Sequence, residues 1–161
     1  MKHIILSISL VFLALVTGCS KTTSKDTSLS ETSTIIFYDY NLVDYLSIEW
    51  NRALLQEEEH YYVYIYSKTC GHCLEIKNDI IKCALKEIEK IYFIEYNDSI
   101  PIIEDREIVL EETDIDRCGV VGVPSLFEIN QHAIVNYYLG GKEIIEILEK
   151  VFSTIENYTS I

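Results

Sequence analysis

The chain has 161 residues, with 13 Lys and Arg against 26 Asp and Glu, a formal charge of -13 at pH 7. That length suits one domain with a tail, and 48% hydrophobic with 24% charged residues is a globular composition. Six Gly and two Pro exclude a collagenous or low-complexity chain, and a pI near 4.6 argues against a nucleic-acid partner, whose phosphates require a basic surface.

Five cysteines cannot all pair with one another, so at least one has a separate role. The N-terminus supplies it. Lys2 and His3 precede an apolar run of 13 residues, Ile4 to Val16, followed by Thr17, Gly18 and Cys19. A basic start, a short apolar stretch and small residues at its end describe a secretory signal peptide. At about 1.5 Å per residue the run reaches about 20 Å, short of the ~30 Å hydrocarbon core, so it is a poor permanent span. Val16-Thr17-Gly18-Cys19 resembles the lipobox of bacterial lipoproteins, which implies cleavage before Cys19 and lipid on its sulfur. Several acyl chains, at about 0.8 kcal/mol per buried CH₂, would hold such a protein on a membrane. Residues 20–33, SKTTSKDTSLSETS, are almost wholly polar and read as a flexible tether.

From Thr34 onward the periodicities alternate in type. Ile35, Ile36 and Phe37 form a short β-like run. Val43, Leu46, Trp50, Ala53 and Leu54 recur at helical steps and predict a helix over about 41–58. Tyr61 to Tyr66 is aromatic and β-branched throughout, as expected of a strand buried on both faces. A turn over 67–71 leads into a helix reaching about Lys90, and Ile91 to Tyr96 is a second buried strand. Residues 104–116 predict a weaker, acidic helix. Ser125–Ile129 and Ala133–Leu139 read as a hairpin joined by Asn130-Gln131-His132. Gly140-Gly141 breaks the chain, after which Ile144, Leu148, Val151 and Ile155 line one face of a last helix. The order β-α-β-α-β-α-β-β-α is that of an α/β sandwich.

The chemistry gathers where the Tyr61–Tyr66 strand becomes a helix, at Cys70-Gly71-His72-Cys73. A first cysteine at a helix N-terminus lies beside unpaired backbone N–H groups and the positive end of the dipole, both of which favour thiolate. Cys70 is the expected nucleophile. Cys73, one turn further in, is the expected resolving thiol. His72 contributes an imidazole that, when protonated, favours the reduced pair and shifts the couple towards oxidant or isomerase behaviour.

The segments YVYIYSKTCGHC and CGVVGVPSLFEI, followed by a strand, a Gly pair and an amphipathic helix, resemble the thioredoxin superfamily over residues 34–158. The CGHC tetrapeptide is similar to that of protein disulfide isomerase. The resemblance implies a thioredoxin-like α/β fold, a central mixed β-sheet flanked by helices on both faces. It also implies a cis-proline at Val123-Pro124, with the Val123 backbone pairing with an extended substrate and Pro124 shielding the dithiol. Two positions depart from the family pattern: Thr69 stands where Trp is common, and Tyr64 replaces the buried carboxylate that handles the resolving thiol's proton. A phenol, with its ordinary value near 10, is a weak shuttle at neutral pH, so Glu75 or water is the expected acceptor for the Cys73 proton.

Cys83 shares a helical face with Ile76 and Ile80 and reads as a buried small hydrophobe. A Cys83–Cys118 disulfide is chemically allowed outside the cytosol, and a four-cysteine zinc site is disfavoured by the spacing. His60 and His132 flank strands and read as solvated, and the twelve Tyr read as core and rim packing. The organisation expected is a signal peptide at 1–18, a lipidated Cys19 with its tether at 19–33, and a thioredoxin-like domain at 34–161. The function expected is that of a lipid-anchored, extracytoplasmic thiol-disulfide oxidoreductase. It would act on protein thiols and disulfides without a dissociable cofactor or metal, be recycled by a membrane redox partner and bind no nucleic acid. Oxidase, isomerase and reductase directions stay open. From a different class, a secretion-accessory (resembling the bacteriocin-transport accessory group) or binding lipoprotein would use the fold as a scaffold, with redox activity secondary.

Overall fold

The computed structural model describes residues 37–156, with side chains over 37–151. The signal peptide, Cys19, the tether, Ile35, Ile36 and the side chain of Ile155 lie outside the described residues. Phe37 is not in a strand and is 79% exposed.

Four strands and two α-helices carry the architecture: β1 (His60–Tyr66), α1 (Gly71–Leu85), β2 (Ile91–Glu95), β3 (Ser125–Asn130), β4 (Ala133–Leu139) and α2 (Gly140–Glu156). The sheet order is β2-β1-β3-β4. β1 runs parallel to β2 and antiparallel to β3, so that Val63 sits between Tyr92 and Phe127, and β3 pairs antiparallel with β4. A mixed sheet with a parallel β1–α1–β2 unit and a C-terminal β3–β4 hairpin followed by a helix is a thioredoxin-like fold.

β1 is central, and every residue from Tyr61 to Tyr66 is buried. Alternation divides it between two cores. Tyr62, Tyr64 and Tyr66 join Phe93 and Leu126 beneath Ile76, Ile80 and Ile81 of α1 and Ile144 and Leu148 of α2. Tyr61, Val63 and Ile65 face the other way, against Ile94, Phe127, Ile129, Val109, Cys118 and Val120. Burial of each such side chain contributes about 1.5–3 kcal/mol, which is why the run has no polar member.

Helical segments flank both faces but differ in kind. Both α-helices lie on the Tyr64 face, whereas 3₁₀ turns at Trp50–Arg52, Arg106–Val109 and Ile115–Arg117 stand over or beside the Val63 face. The two α-helices expected at 41–58 and 104–116 are replaced by short 3₁₀ segments, and edge pairing explains both. After the 3₁₀ segment Tyr40–Leu46, which kinks at Val43, Ser47 pairs in parallel with Phe93 and Ile48 N–H donates to Phe93 O at 2.9 Å. This covers the free edge of β2. Likewise Glu111 N–H donates to Ile134 O at 2.8 Å and Ile134 N–H to Glu112 O at 3.1 Å, covering β4. Unpaired edge strands invite aggregation, and β-branched and aromatic residues such as Val43, Tyr45 and Ile48 are only moderate helix formers.

α1 ends at Leu85, short of Lys90. The hairpin forms as expected, with Gln131 and His132 both at positive φ, the conformation of a tight two-residue turn. Gly140-Gly141 does not break the chain but opens α2. Gly140, at φ +81, turns β4 directly into the helix, and Glu143 accepts from Leu139 N–H at 3.1 Å. No helix among the described residues is long and apolar enough to cross a membrane.

Candidate active site

β1 delivers the chain to a turn held by Ser67, whose carbonyl accepts from Cys70 N–H at 3.2 Å and whose hydroxyl meets Thr69 Oγ1 at 3.1 Å. Cys70 is the N-cap of α1, with extended backbone (φ -81, ψ 122), and its carbonyl receives Leu74 N–H at 3.0 Å. Its own side chain caps nothing, which leaves the sulfur free for a partner outside the helix. Cys70 is half-buried, and Cys73 is fully buried one turn in. Burial pushes the Cys73 thiol up to about 12, partly offset by the Ser67 backbone. Cys73 is thus shut away from solvent where Cys70 is partly open to it.

The Val123–Pro124 peptide is cis, as the resemblance implies, and lies across from the dithiol: Cys70 Sγ donates to Val123 O at 3.4 Å. Val123 is half-buried and Pro124 buried. The loop before them is anchored from below by Tyr137 of β4. Its hydroxyl accepts from Val121 N–H at 2.7 Å and meets Ser125 Oγ at 2.8 Å, while Ser125 also donates to Gly122 O at 2.6 Å. Neither Ser125 nor Tyr137 stands in a motif of the sequence. The available signal was a serine, Ser125, directly following the proline at the start of an otherwise apolar strand.

His72 is exposed beside the sulfurs, with Nδ1 3.1 Å from Glu75. Glu75 therefore turns outward, 72% exposed, and is not placed to take a proton from buried Cys73. Next to His72 runs an open groove of about 570 Å³ lined by Ile76, Leu139, Gly140, Gly141 and Ile145. A Cβ on Gly141 would come within 2.9 Å of Ile76 Cγ2, so the glycine permits α2 to approach α1 closely there. A second groove of about 480 Å³, between α2 and the Arg106–Leu110 segment, contains no cysteine.

The four cysteines among the described residues are free. Cys83 packs against the α1–α2 core and Cys118 is buried in the opposite one, so the sheet stands between them and the Cys83–Cys118 disulfide does not form. Burial raises both thiols, Cys118 to about 12. No group of three or more His, Cys, Asp or Glu side chains among the described residues is placed to hold a metal ion. The histidines near strands are not simply solvated. His132 Nδ1 meets Leu54 O at 3.0 Å, and His60 bridges Glu89 at 3.1 Å and Glu128 at 3.2 Å.

No protein-family model matches the sequence, and no curated protein matches it. Among solved structures the chain is similar to Chlamydomonas reinhardtii thioredoxin f2, at 12% identity over 65% of this chain and 93% of that one, with a TM-score of 0.43. It is similar to thioredoxin from Aeropyrum pernix at 22% identity, over 74% and 86%, TM-score 0.43. For thioredoxin from Trypanosoma brucei brucei the figures are 16%, 68%, 91% and 0.44.

Proposed function

We propose that the chain is a thiol-disulfide oxidoreductase working through Cys70 and Cys73. One observation carries the reading: a half-buried cysteine at the start of α1 and a buried one a turn later, facing a carbonyl next to a proline. Cys70 attacks a substrate disulfide, forming a bond to one substrate sulfur while the other leaves as a thiol. Cys73 then attacks Cys70 Sγ, the Cys70–Cys73 disulfide forms, and the second substrate sulfur is released. The dithiol loses two electrons and the substrate gains them; the reverse sequence oxidises a substrate dithiol. Val123 presents its backbone to an extended substrate, Pro124 offers no N–H in the same place, and His72 tunes the couple from the surface. The redox group is the dithiol itself, so no dissociable cofactor enters the cycle.

The site works outside the cytoplasm, tethered to the membrane through a lipid on Cys19 and recycled by a membrane redox partner. The Val16-Thr17-Gly18-Cys19 motif and the polar tether support this placement. Equilibration of the full chain with glutathione buffers tests the chemistry. A couple near about -120 to -180 mV acts as an oxidant or isomerase, and one near about -270 mV as a reductant. Failure of Cys70 and Cys73 to interconvert at any poise removes the proposal. Cys19→Ser tests the anchor, and is expected to move the protein from the membrane to the soluble fraction.

A further inference from the structure

Behind the dithiol, two phenol hydroxyls are buried with no partner at hydrogen-bonding geometry. Among the described residues, the side-chain N and O atoms that are buried without a hydrogen bond are the hydroxyls of Tyr40 and Tyr64. Both residues belong to the core that encloses Cys73. Their rings are already held by packing. Tyr40 stacks on Tyr66 with centroids 3.9 Å apart, and Tyr64 lies parallel to Tyr66 and edge-on to Phe93, each at 5.7 Å. Phenylalanine would fill both places equally well and avoid burying an unpartnered hydroxyl, which costs stability. Two such hydroxyls, both in the core that encloses the Cys73 sulfur, point to a use at that sulfur.

We propose that Tyr40 and Tyr64 form a two-hydroxyl donor relay for the Cys73 thiolate, Tyr64 donating to Cys73 Sγ and Tyr40 donating to the Tyr64 oxygen. This rests on the thiol-disulfide reading above and deepens it. The Tyr64 hydroxyl acts on Cys73 in the direction that favours thiolate, against the effect of burial, and the two phenols act on each other. Burial raises both phenols far above their ordinary range, so neither gives up its proton. They are donors throughout and never bases. That sets them apart from a buried carboxylate, which can take the resolving thiol's proton as well as face its charge.

The step balances without a protein base. In the mixed disulfide, Cys73 loses its proton to water, and the negative charge left on its sulfur draws in the Tyr64 O–H. The thiolate attacks Cys70 Sγ, the Cys70–Cys73 bond forms, and the bond from Cys70 to the substrate sulfur breaks. That sulfur leaves as a thiolate and takes a proton from water. Tyr64 ends with the hydrogen it began with, and Tyr40, one hydroxyl removed from the sulfur, is a positioning residue.

The test uses the full chain, with glutathione preloaded on Cys70 as a mixed disulfide and its release followed against pH. For Tyr64→Phe, the expected result is a rate line parallel to wild type but about tenfold lower, one pH unit's worth of thiolate. Tyr40→Phe slows release less, and the double variant is no slower than Tyr64→Phe, because Tyr40 acts through Tyr64. A purely structural role would slow attack by Cys70 and release alike, whereas the relay lowers the ratio of release to attack. Tyr64→Phe releasing glutathione as fast as wild type across the pH range overturns the relay while leaving the oxidoreductase reading intact. A wild-type chain that forms no mixed disulfide at Cys70 overturns both.

Discussion

The Cys70 thiol donates to the carbonyl of Val123, 53 residues away, across 3.4 Å. This contact joins the start of α1 to the loop before β3 and occupies the carbonyl that the proposed function gives to substrate. Only a protonated sulfur can occupy the Val123 carbonyl. An ionised or disulfide-bonded Cys70 frees that oxygen, so under the proposed function engagement of the sulfur and opening of the Val123 carbonyl to a peptide N–H are linked.

Cys70→Ser separates nucleophile from hydrogen-bond donor. The serine hydroxyl can still bind Val123 O, so stability should stay within about 0.5 kcal/mol of wild type. Catalysed disulfide exchange should fall to the background rate. Thermal unfolding and insulin-disulfide reduction, run on the same preparation, check the two halves.

Mild oxidation of the folded protein should consume two of the four cysteines in the described region, Cys70 and Cys73, and no others. Cys83 and Cys118 belong to cores on opposite faces of the sheet and cannot meet without unfolding. Mass mapping after alkylation in denaturant, without reductant, should find both as labelled thiols. In the native reduced protein, half-buried Cys70 should label first, while Cys118, buried and raised to about 12, should resist until the chain unfolds.

What was legible in the sequence was what local signals encode. The Tyr61–Tyr66 run, the Cys70-x-x-Cys73 turn into a helix and the hairpin around Gln131 carry their instructions within a few residues. The lost helix over 41–58 has helical periodicity and that over 104–116 a weaker helical signal, but Ser47 pairs with Phe93, and Glu111 and Glu112 with Ile134. Those partners are remote in the chain, and the gain from covering a sheet edge outweighs a moderate helix propensity. The site divides the same way. Cys70, Cys73 and Pro124 stand in recognisable motifs, whereas Tyr40 comes to Cys73 only through stacking on Tyr66. His60 meets Glu89 and Glu128 only through strand register.

His60 should make stability depend on pH at the end of β1 away from the dithiol. Burial alone would lower its affinity for a proton, but hydrogen bonds and charge from Glu128 and Glu89 outweigh burial and raise it above the ordinary 6.5. Glu128 is likewise opposed by burial, yet hydrogen bonds from Tyr138, His60 and Asn136 hold it below its usual 4.5. The histidine's contribution is therefore complete below pH 6.5 and fades as pH rises through its raised folded value. The carboxylate's is complete above pH 4.5 and fades as pH falls through its lowered one. Between these limits His60→Gln should cost about 1 kcal/mol, since solvent screens a pair this exposed. The difference should close towards pH 9, and urea unfolding at several pH values measures it.

Gly119 should be the least replaceable glycine in the described chain. Val120 N–H donates to Pro101 O at 2.9 Å and Ile103 N–H to Val120 O at 3.0 Å, so Gly119 is drawn against the 101–103 segment by backbone bonds on the residue beside it. A Cβ there would lie 2.6 Å from Pro101 O and 2.7 Å from Ile103 Cγ2. The first obstacle is backbone and cannot rotate aside, so Gly119→Ala should destabilise by about 1–3 kcal/mol. Val121, two residues on, is the one tied to the Tyr137 hydroxyl, and Val123 follows in the same loop. The displacement should therefore reach the Cys70 acceptor and slow disulfide exchange in the fraction that remains folded. Gly122→Ala is the control: nothing lies within 4 Å of its Cβ although it sits closer in sequence to Pro124. Paired unfolding and exchange assays should show Gly119→Ala losing both properties and Gly122→Ala keeping its stability within about 0.5 kcal/mol.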